Sequence, residues 1–389
     1  MAWLKWLLLF LVLFSPLGID IYLPAIPEIA SGLATPQALV QSTVSLFLLM
    51  MGLGQLVAGP LADRFGRRPV AMAGILLYLG GALLAMVADS GWLFVASRLI
   101  QGTAVCGTSV VAFSAVRDRL DGEESAQAYS FLNGALNIVP ALAPLIGGIL
   151  AQHYGWQAPF AFLAGYALLM LAVVWRFLPE TRPPGTKVTA GIPFGQYWRI
   201  LRSPNFLRFA LVNAAGMGMV TTYVSLAPTV LMEEGGLEPL AFALVFGVNA
   251  LWILTASLKA NWVIRRFGQV ACLGVAGAWL LLGALTLGFN FGLLGASPWG
   301  YMLPVALACA GFAASLGPAT GLALAPFGEE AGVAASLVLF VQMALGSCIS
   351  LAAVALPLAP QWALTGAMAL AVLLVYRALR AARRLEALA

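Results

Sequence analysis

Charge is what this sequence has least of. Only 9% of its 389 residues are charged and 62% are hydrophobic, against about 25% charged in soluble globular proteins. That balance excludes a water-soluble fold and indicates a chain that crosses a membrane many times. Histidine is nearly absent, with His153 alone. One histidine and almost no acids inside the apolar runs leave little material for a membrane-embedded metalloenzyme. The four cysteines, Cys106, Cys272, Cys309 and Cys348, lie in apolar stretches with neither metal spacing nor a disulfide framework. They read as packing residues. A cleavable leader pattern is also missing. The first apolar run continues for a full span, and Asp20 and several prolines stand where a small-residue cleavage site belongs. No long soluble stretch is present, so no cofactor and no attached catalytic domain are expected.

What the chain does have is apolar runs of membrane length. A helix needs about 20 such residues to cross the hydrocarbon. The runs number twelve, over 6–27, 38–61, 69–88, 92–115, 126–151, 157–178, 204–230, 239–261, 269–290, 299–323, 332–356 and 360–379. Lys and Arg accumulate in cytoplasmic loops. With both termini cytoplasmic, nineteen of the twenty basic residues fall at that face, and the twentieth, Arg98, lies inside the fourth run. The net charge of +5 therefore sets orientation and does not mark a nucleic-acid partner.

The longest polar connection divides the runs six and six. It predicts an N-terminal bundle over 1–180, a cytoplasmic linker over 181–203 and a C-terminal bundle over 204–389. An internal echo supports related halves. Arg64-Phe65-Gly66, after the second run, recurs as Arg266-Phe267-Gly268 after the eighth. Parallel repeats with a site near the midplane suit a rocking transporter.

Asp20 is the one carboxylate well inside a membrane-length run. An ionised Asp there costs roughly 2.5–3.5 kcal/mol on insertion scales, so it is expected to face a cavity or a partner and to have a function. Asp20 and Arg98 each lie about six or seven residues from the outer end of their runs, hence roughly 10 Å below the outer boundary. At a shared depth they are expected to face one cavity, directly or through neighbours such as Gln101. Burial and a nearby guanidinium act on a carboxylate's proton affinity in opposite senses, which suits a group for which proton and cargo compete. Glu28, just past Pro27, reads as an external interfacial residue.

Four local patterns then coincide. Gly59-x-x-x-Asp63-Arg64-x-Gly66-Arg67-Arg68 between the second and third runs resembles motif A of the major facilitator superfamily. Asp20-Ile-Tyr22-Leu-Pro24 is similar to the first-helix signature of its drug:proton antiporters, the Bcr/CflA drug-resistance group in particular. Arg98-x-x-Gln101-Gly102 resembles their motif B, and Pro144-x-x-Gly147-Gly148 their antiporter motif C, with Ala143 where Gly is usual. The resemblance extends over nearly the whole chain. It departs at Val12, where some relatives carry a second acid, so coupling through one acid is expected.

The resemblance implies an all-α polytopic membrane protein of the major facilitator fold, twelve helices in two pseudo-symmetric six-helix bundles. It implies an inner-membrane, non-enzymatic, monomeric transporter exchanging protons for small-molecule cargo by alternating access. Asp20 and Arg98 would couple the proton. Asp63, with Arg117 as partner, would hold the cytoplasmic gate. The helix bearing motif C would seal the cavity against leak. Polar and aromatic residues inside the runs, Tyr22, Asn133, Asn137, Tyr223, Asn249, Trp252 and Gln342, are the candidates for cargo contact. Two cargo classes stay open: diverse amphiphilic drugs, or one endogenous metabolite such as a siderophore, nucleoside or amino-acid derivative.

Overall fold

The computed structural model describes residues 2–120, 122–183, 194–295, 297–328 and 330–386. Among them there is no β-strand, and the helices follow the apolar runs. The first crossing, Trp3–Gly32, is made of three pieces. These are α1 (Ala2–Val12), α2 (Phe14–Asp20) and, after a 3-10 turn at Leu23–Ala25, α3 (Ile26–Gly32). Prolines cause the breaks. Pro16 cannot donate to the Val12 carbonyl, nor Pro24 to the Asp20 carbonyl, and each ring crowds the preceding turn. The remaining helices of the first half are α4 (Gln37–Phe65), α5 (Arg67–Met86), α6 (Gly91–Arg119), α7 (Gly122–Tyr154) and α8 (Ala158–Phe177).

The short amphipathic α9 (Phe194–Leu201) lies within the stretch 181–203 expected as linker, burying Tyr197 and Ile200 and exposing Phe194 and Trp198. Beyond it lie α10 (Pro204–Pro228), which runs on as a π-turn to Glu234, then α11 (Pro239–Leu294), α12 (Pro298–Leu324), α13 (Ala331–Ala355) and α14 (Pro360–Glu386). Among the described residues, eleven helical segments qualify by length and hydropathy as membrane spans. The 56-residue α11 would be roughly 80 Å long if straight, far beyond the ~30 Å hydrocarbon. It is two crossings joined at Gly268, whose φ of 86° and ψ of 171° are not helical. The chain doubles back there: Cys272 donates to the Ala260 carbonyl at 3.8 Å, and the two residues share one buried cluster. The apolar runs thus make twelve crossings.

The chain forms two compact units, one of Met1–Pro193 with Pro239–Gly247, the other of Phe194–Glu238 with Val248–Ala389. The expected second bundle began at 204, yet the first turns of α11 group with the first unit. Small residues explain this: a Cβ at Gly247 would come within 2.9 Å of the Ala141 carbonyl, so this stretch lies close against α7. In the first unit α6 is the central helix, packed on both α4 and α5. Glycine makes the approach possible. Gly74 and Gly107 face each other, and a Cβ at Gly102 would overlap the Phe47 backbone. In the second unit α10 holds that place, against α12, α13 and α14.

Candidate functional site

The break in the first crossing falls immediately after Asp20, which is only 5% exposed. Arg98, on α6, is fully buried. Its guanidinium donates to the Gly18 carbonyl and to the Gln101 side chain. It also lies over the rings of Tyr22, Phe47 and Phe160, at 4.4, 4.8 and 5.9 Å from their centroids. Desolvated cation–π contacts of this sort contribute about 2 kcal/mol or more, which lets a charge this deep be tolerated. The Tyr22 hydroxyl is held at 2.8 Å from that of Thr43. Arg98 therefore grips the first crossing two residues before and two residues after Asp20. Among the described residues it forms no ion pair with Asp20, and neither does any other base.

Gly147 of α7 closes the other side. A Cβ there would coincide with the Ile21 carbonyl oxygen, so the α7 backbone touches the residue next to Asp20. Gly148 points toward Pro239, 3.5 Å from where its Cβ would be, and Pro144 is buried beside them. The three motif C residues thus fall on one face of α7, and Gly147 brings that face into contact with the broken stretch of the first crossing.

A second charged cluster joins the ends of α4, α5 and α6. Arg67 is 1% exposed and bridges two acids, Asp63 at 2.6 Å and Asp118 at 2.9 Å. Asp63 was expected to pair with Arg117. Among the described residues its partner is Arg67, one turn along its own chain, while Arg117 points outward, 67% exposed, 3.7 Å from Asp118. The amide groups at the start of α5 do not go to Asp63 either. Arg67 and Arg68 donate them to the Glu180 carboxylate, at 2.9 and 3.2 Å. Arg182 closes the end of α4 by donating to the Asp63 and Arg64 carbonyls, at 3.2 and 2.8 Å. Gly66 allows this arrangement. Its φ of 101° favours glycine, and a Cβ would overlap the Glu180 carboxylate. Nothing lies within 4 Å of a Cβ at Gly59.

The sequence over residues 8–377 matches the family model of the Major Facilitator Superfamily. The chain belongs to the Major Facilitator Superfamily. It is a multi-pass membrane transporter of small molecules and not an enzyme. It is similar to a chloramphenicol resistance protein of Pseudomonas aeruginosa, 34% identical over 321 residues, which are 82% of this chain and 76% of that protein. It is likewise similar to the multidrug resistance protein MdtL of Klebsiella pneumoniae, 31% identical over 333 residues, 86% of this chain and 83% of that one. Among solved structures, a peptide transporter POT in complex with sulfate superposes with a TM-score of 0.80 at 16% identity, covering 98% of this chain and 94% of that one. The xylose transporter XylE from E. coli gives 0.72 at 16% identity, with 96% and 98% covered. At such identities these structures share the superfamily fold.

The residues expected to touch cargo are dispersed in this superfamily member. Tyr22 belongs to the Arg98 cluster. Tyr223 is buried on α10, 6.4 Å from the Tyr301 ring. Asn249 is buried and approaches the Cys309 sulfur at 3.9 Å, and Trp252 donates its indole N–H to the Ala306 carbonyl at 2.9 Å. Both tie α11 to α12. Gln342 is half-buried on α13, and Asn133 is exposed on α7, donating to the Tyr129 carbonyl at 2.9 Å. The side chain of Asn137 lies outside the described residues. Four participants escaped the sequence reading: Phe47, Phe160, Asp118 and Glu180. An acid beside the expected Arg117 was the available signal for Asp118. The two phenylalanines and Glu180 carried none.

Proposed function

We propose that this protein is a proton-coupled exporter of small amphiphilic compounds, antibiotics among them, with Asp20 as the proton carrier. The similarity to proteins named for chloramphenicol and multidrug resistance supports the cargo class. The observation that carries the coupling scheme is a buried acid at a helix break, without an ion partner among the described residues, on a stretch whose Gly18 and Tyr22 are both held by Arg98. Such a carboxylate is stable in a dry site only when its charge is cancelled. A proton arriving from outside does this in one half of the cycle; in the other the site is no longer dry, and the ionised carboxylate is solvated by water admitted with the cargo or paired with a cationic cargo. Arg98 holds Gly18 and Tyr22 in place throughout. It is a positioning residue here, fixing the stretch that carries the acid.

In this reading the protein is a monomer in the bacterial inner membrane with both termini cytoplasmic. Cargo enters from the cytoplasm or inner leaflet and leaves on the far side by alternating access. The network of Asp63, Arg67 and Asp118 biases the cytoplasmic gate, while Gly147 keeps α7 tight against the first crossing and Gly148 lets Pro239 of α11 approach. Neutral cargo exchanged for one proton is assisted by the membrane voltage at ~2.3 kcal/mol per 100 mV. A monovalent cation exchanged for one proton is not.

Everted vesicles energised by a pH gradient test the scheme. Wild type is expected to release protons when chloramphenicol is added and to accumulate it uphill. Asp20→Asn, at normal expression, should lose both while still equilibrating cargo downhill. Uphill accumulation by Asp20→Asn that still depends on the pH gradient overturns the assignment. Export of one metabolite with no drug accumulation would leave Asp20 in place and change the cargo.

A further inference from the structure

The first unit carries a groove of about 640 Å³ on its surface between α4 and α5, floored by α6. Both helices lie tightly on α6 but touch each other little. Leu53, Val57 and Leu61 form one wall, Ala73 and Leu77 the other, and all five are exposed. From Met50 to Phe65 the groove follows α4 for about 22 Å, longer than the ~15 Å of one hydrocarbon leaflet. It begins at the motif A end of the helices and runs past mid-membrane. Its lining is almost entirely apolar, and its one hydroxyl, that of Thr103, is already spent on the Leu99 carbonyl at 2.9 Å. A drug site needs convergent polar groups to fix orientation; a hydrocarbon chain needs none.

The mouth of the groove is charged. Phe65 forms its lip, and the Arg64 guanidinium sits over that ring at 5.2 Å from the centroid. Of the three arginines in the motif, Arg67 is committed to Asp63 and Asp118, and Arg68 donates to the Trp175 carbonyl. Arg64 is exposed, and among the described residues no acid pairs with it. A fixed, unpaired cation at the lip of an acyl-sized apolar groove is complementary to one kind of molecule that the membrane supplies.

We propose that this groove binds one anionic glycerophospholipid, with an acyl chain along α4 and the phosphate against Arg64. The site is separate from the Asp20 cluster and does not depend on the cargo or the coupling scheme. A lipid wedged between α4 and α5 would brace the two helices whose ends carry the Asp63–Arg67–Asp118 network.

Native mass spectrometry of the delipidated full chain, resupplied with equal phosphatidylglycerol and phosphatidylcholine of matched chains, tests this. Wild type is expected to retain one phosphatidylglycerol with about fivefold preference, the worth of one basic residue at an anionic headgroup. Arg64→Gln should bring the two lipids toward parity. Ala73→Trp, which fills the groove from an exposed position, should lower retention of both, whereas Leu285→Trp, on the exposed face of α11 in the other unit, should change neither. Parity in wild type overturns the proposal. So does full retention by Ala73→Trp, equal loss in Leu285→Trp, or displacement of the lipid by chloramphenicol. Arg64→Gln alters only an exposed side chain, so it keeps the test decisive if the tryptophan variant does not fold.

Discussion

Gly66 and Gly268 turn the chain in the same way in the two halves, with φ of 101° and 86° and ψ of 159° and 171°. Each follows Arg-Phe and stands between two crossings. Their surroundings have nothing else in common. Around Gly66 a buried arginine bridges two acids, and a third acid caps the next helix. Around Gly268 the backbone is exposed, nothing lies within 4 Å of a Cβ, and among the described residues no ion pair involves Arg265 or Arg266. At the repeat spacing, Arg265 stands where Asp63 is and Gln269 where Arg67 is, so the second copy has lost both ends of the one-turn ion pair. The comparison separates two properties. Three residues suffice to repeat a backbone bend, because the bend is a local steric matter. A charge network is not repeated with it, because its members come from several helices.

The largest test of this contrast is Arg67→Ala against Gln269→Ala. Removing Arg67 leaves buried Asp118 without its cation, a loss of about 3–5 kcal/mol when a buried pair is broken. Thermal unfolding in detergent should show a large fall in Tm for Arg67→Ala. For Gln269→Ala the change should stay within about 0.5 kcal/mol, as for ordinary exposed positions. Equal losses would erase the distinction between the two loops.

Alanine at the two glycines comes next. Both positions occupy a region open essentially to glycine alone, so each variant should lose about 1–3 kcal/mol. Gly66→Ala should lose visibly more than Gly268→Ala, because only at Gly66 does the new Cβ strike a carboxylate, that of Glu180. The double variant Gly66→Ala/Glu180→Ala should then approach Gly268→Ala, less the lost cap, and unfolding measurements on the three check it.

Glu180 itself has a smaller, pH-dependent effect. Partial burial opposes its charge, but the backbone N–H groups of Arg182, Arg67 and Arg68 outweigh that and hold the carboxyl below its ordinary 4.5. A depressed carboxyl stabilises fully above its unfolded value and loses that contribution as pH falls through the folded one. Wild type should therefore exceed Glu180→Gln by no more than about 1 kcal/mol at pH 7, and the gap should close as pH drops below 4.5. A gap that widens on acidification would contradict the capping role. The smallest effect is expected at Arg117→Ala, about 0.5 kcal/mol or less for a mostly exposed charge. A large loss in the same unfolding assay would restore Arg117 to the gate.

Those two adjacent positions show where sequence reading stops. Successive helical residues differ by about 100° in direction, so Arg117, named as the partner of Asp63, lies on the face turned outward while its neighbour Asp118 is turned in, to Arg67. No local rule tells which of several nearby arginines an acid at a helix end will meet. Asp20 and Arg98 were legible for the opposite reason. A charge inside an apolar run stands out on its own, and helical rise places both at one depth. The cargo candidates were not legible, because a buried polar side chain looks the same in a sequence whether it lines a cavity or ties two helices, as Asn249 and Trp252 do here.

By itself the sequence determined the twelve crossings, and its prolines and glycines carry the local cause of the break after Asp20, which the reading of the first run as continuous over 6–27 did not anticipate, and of the bends at Gly66 and Gly268. Each of these follows from hydropathy, missing N–H groups or backbone sterics within a few residues. Only the tertiary structure decided that Arg98 would sit among Tyr22, Phe47 and Phe160, and that Glu180 would cap a helix beginning 113 residues earlier. Those contacts join residues far apart in the chain, and a lipid-excluded charge takes whichever partners the packed helices bring to it.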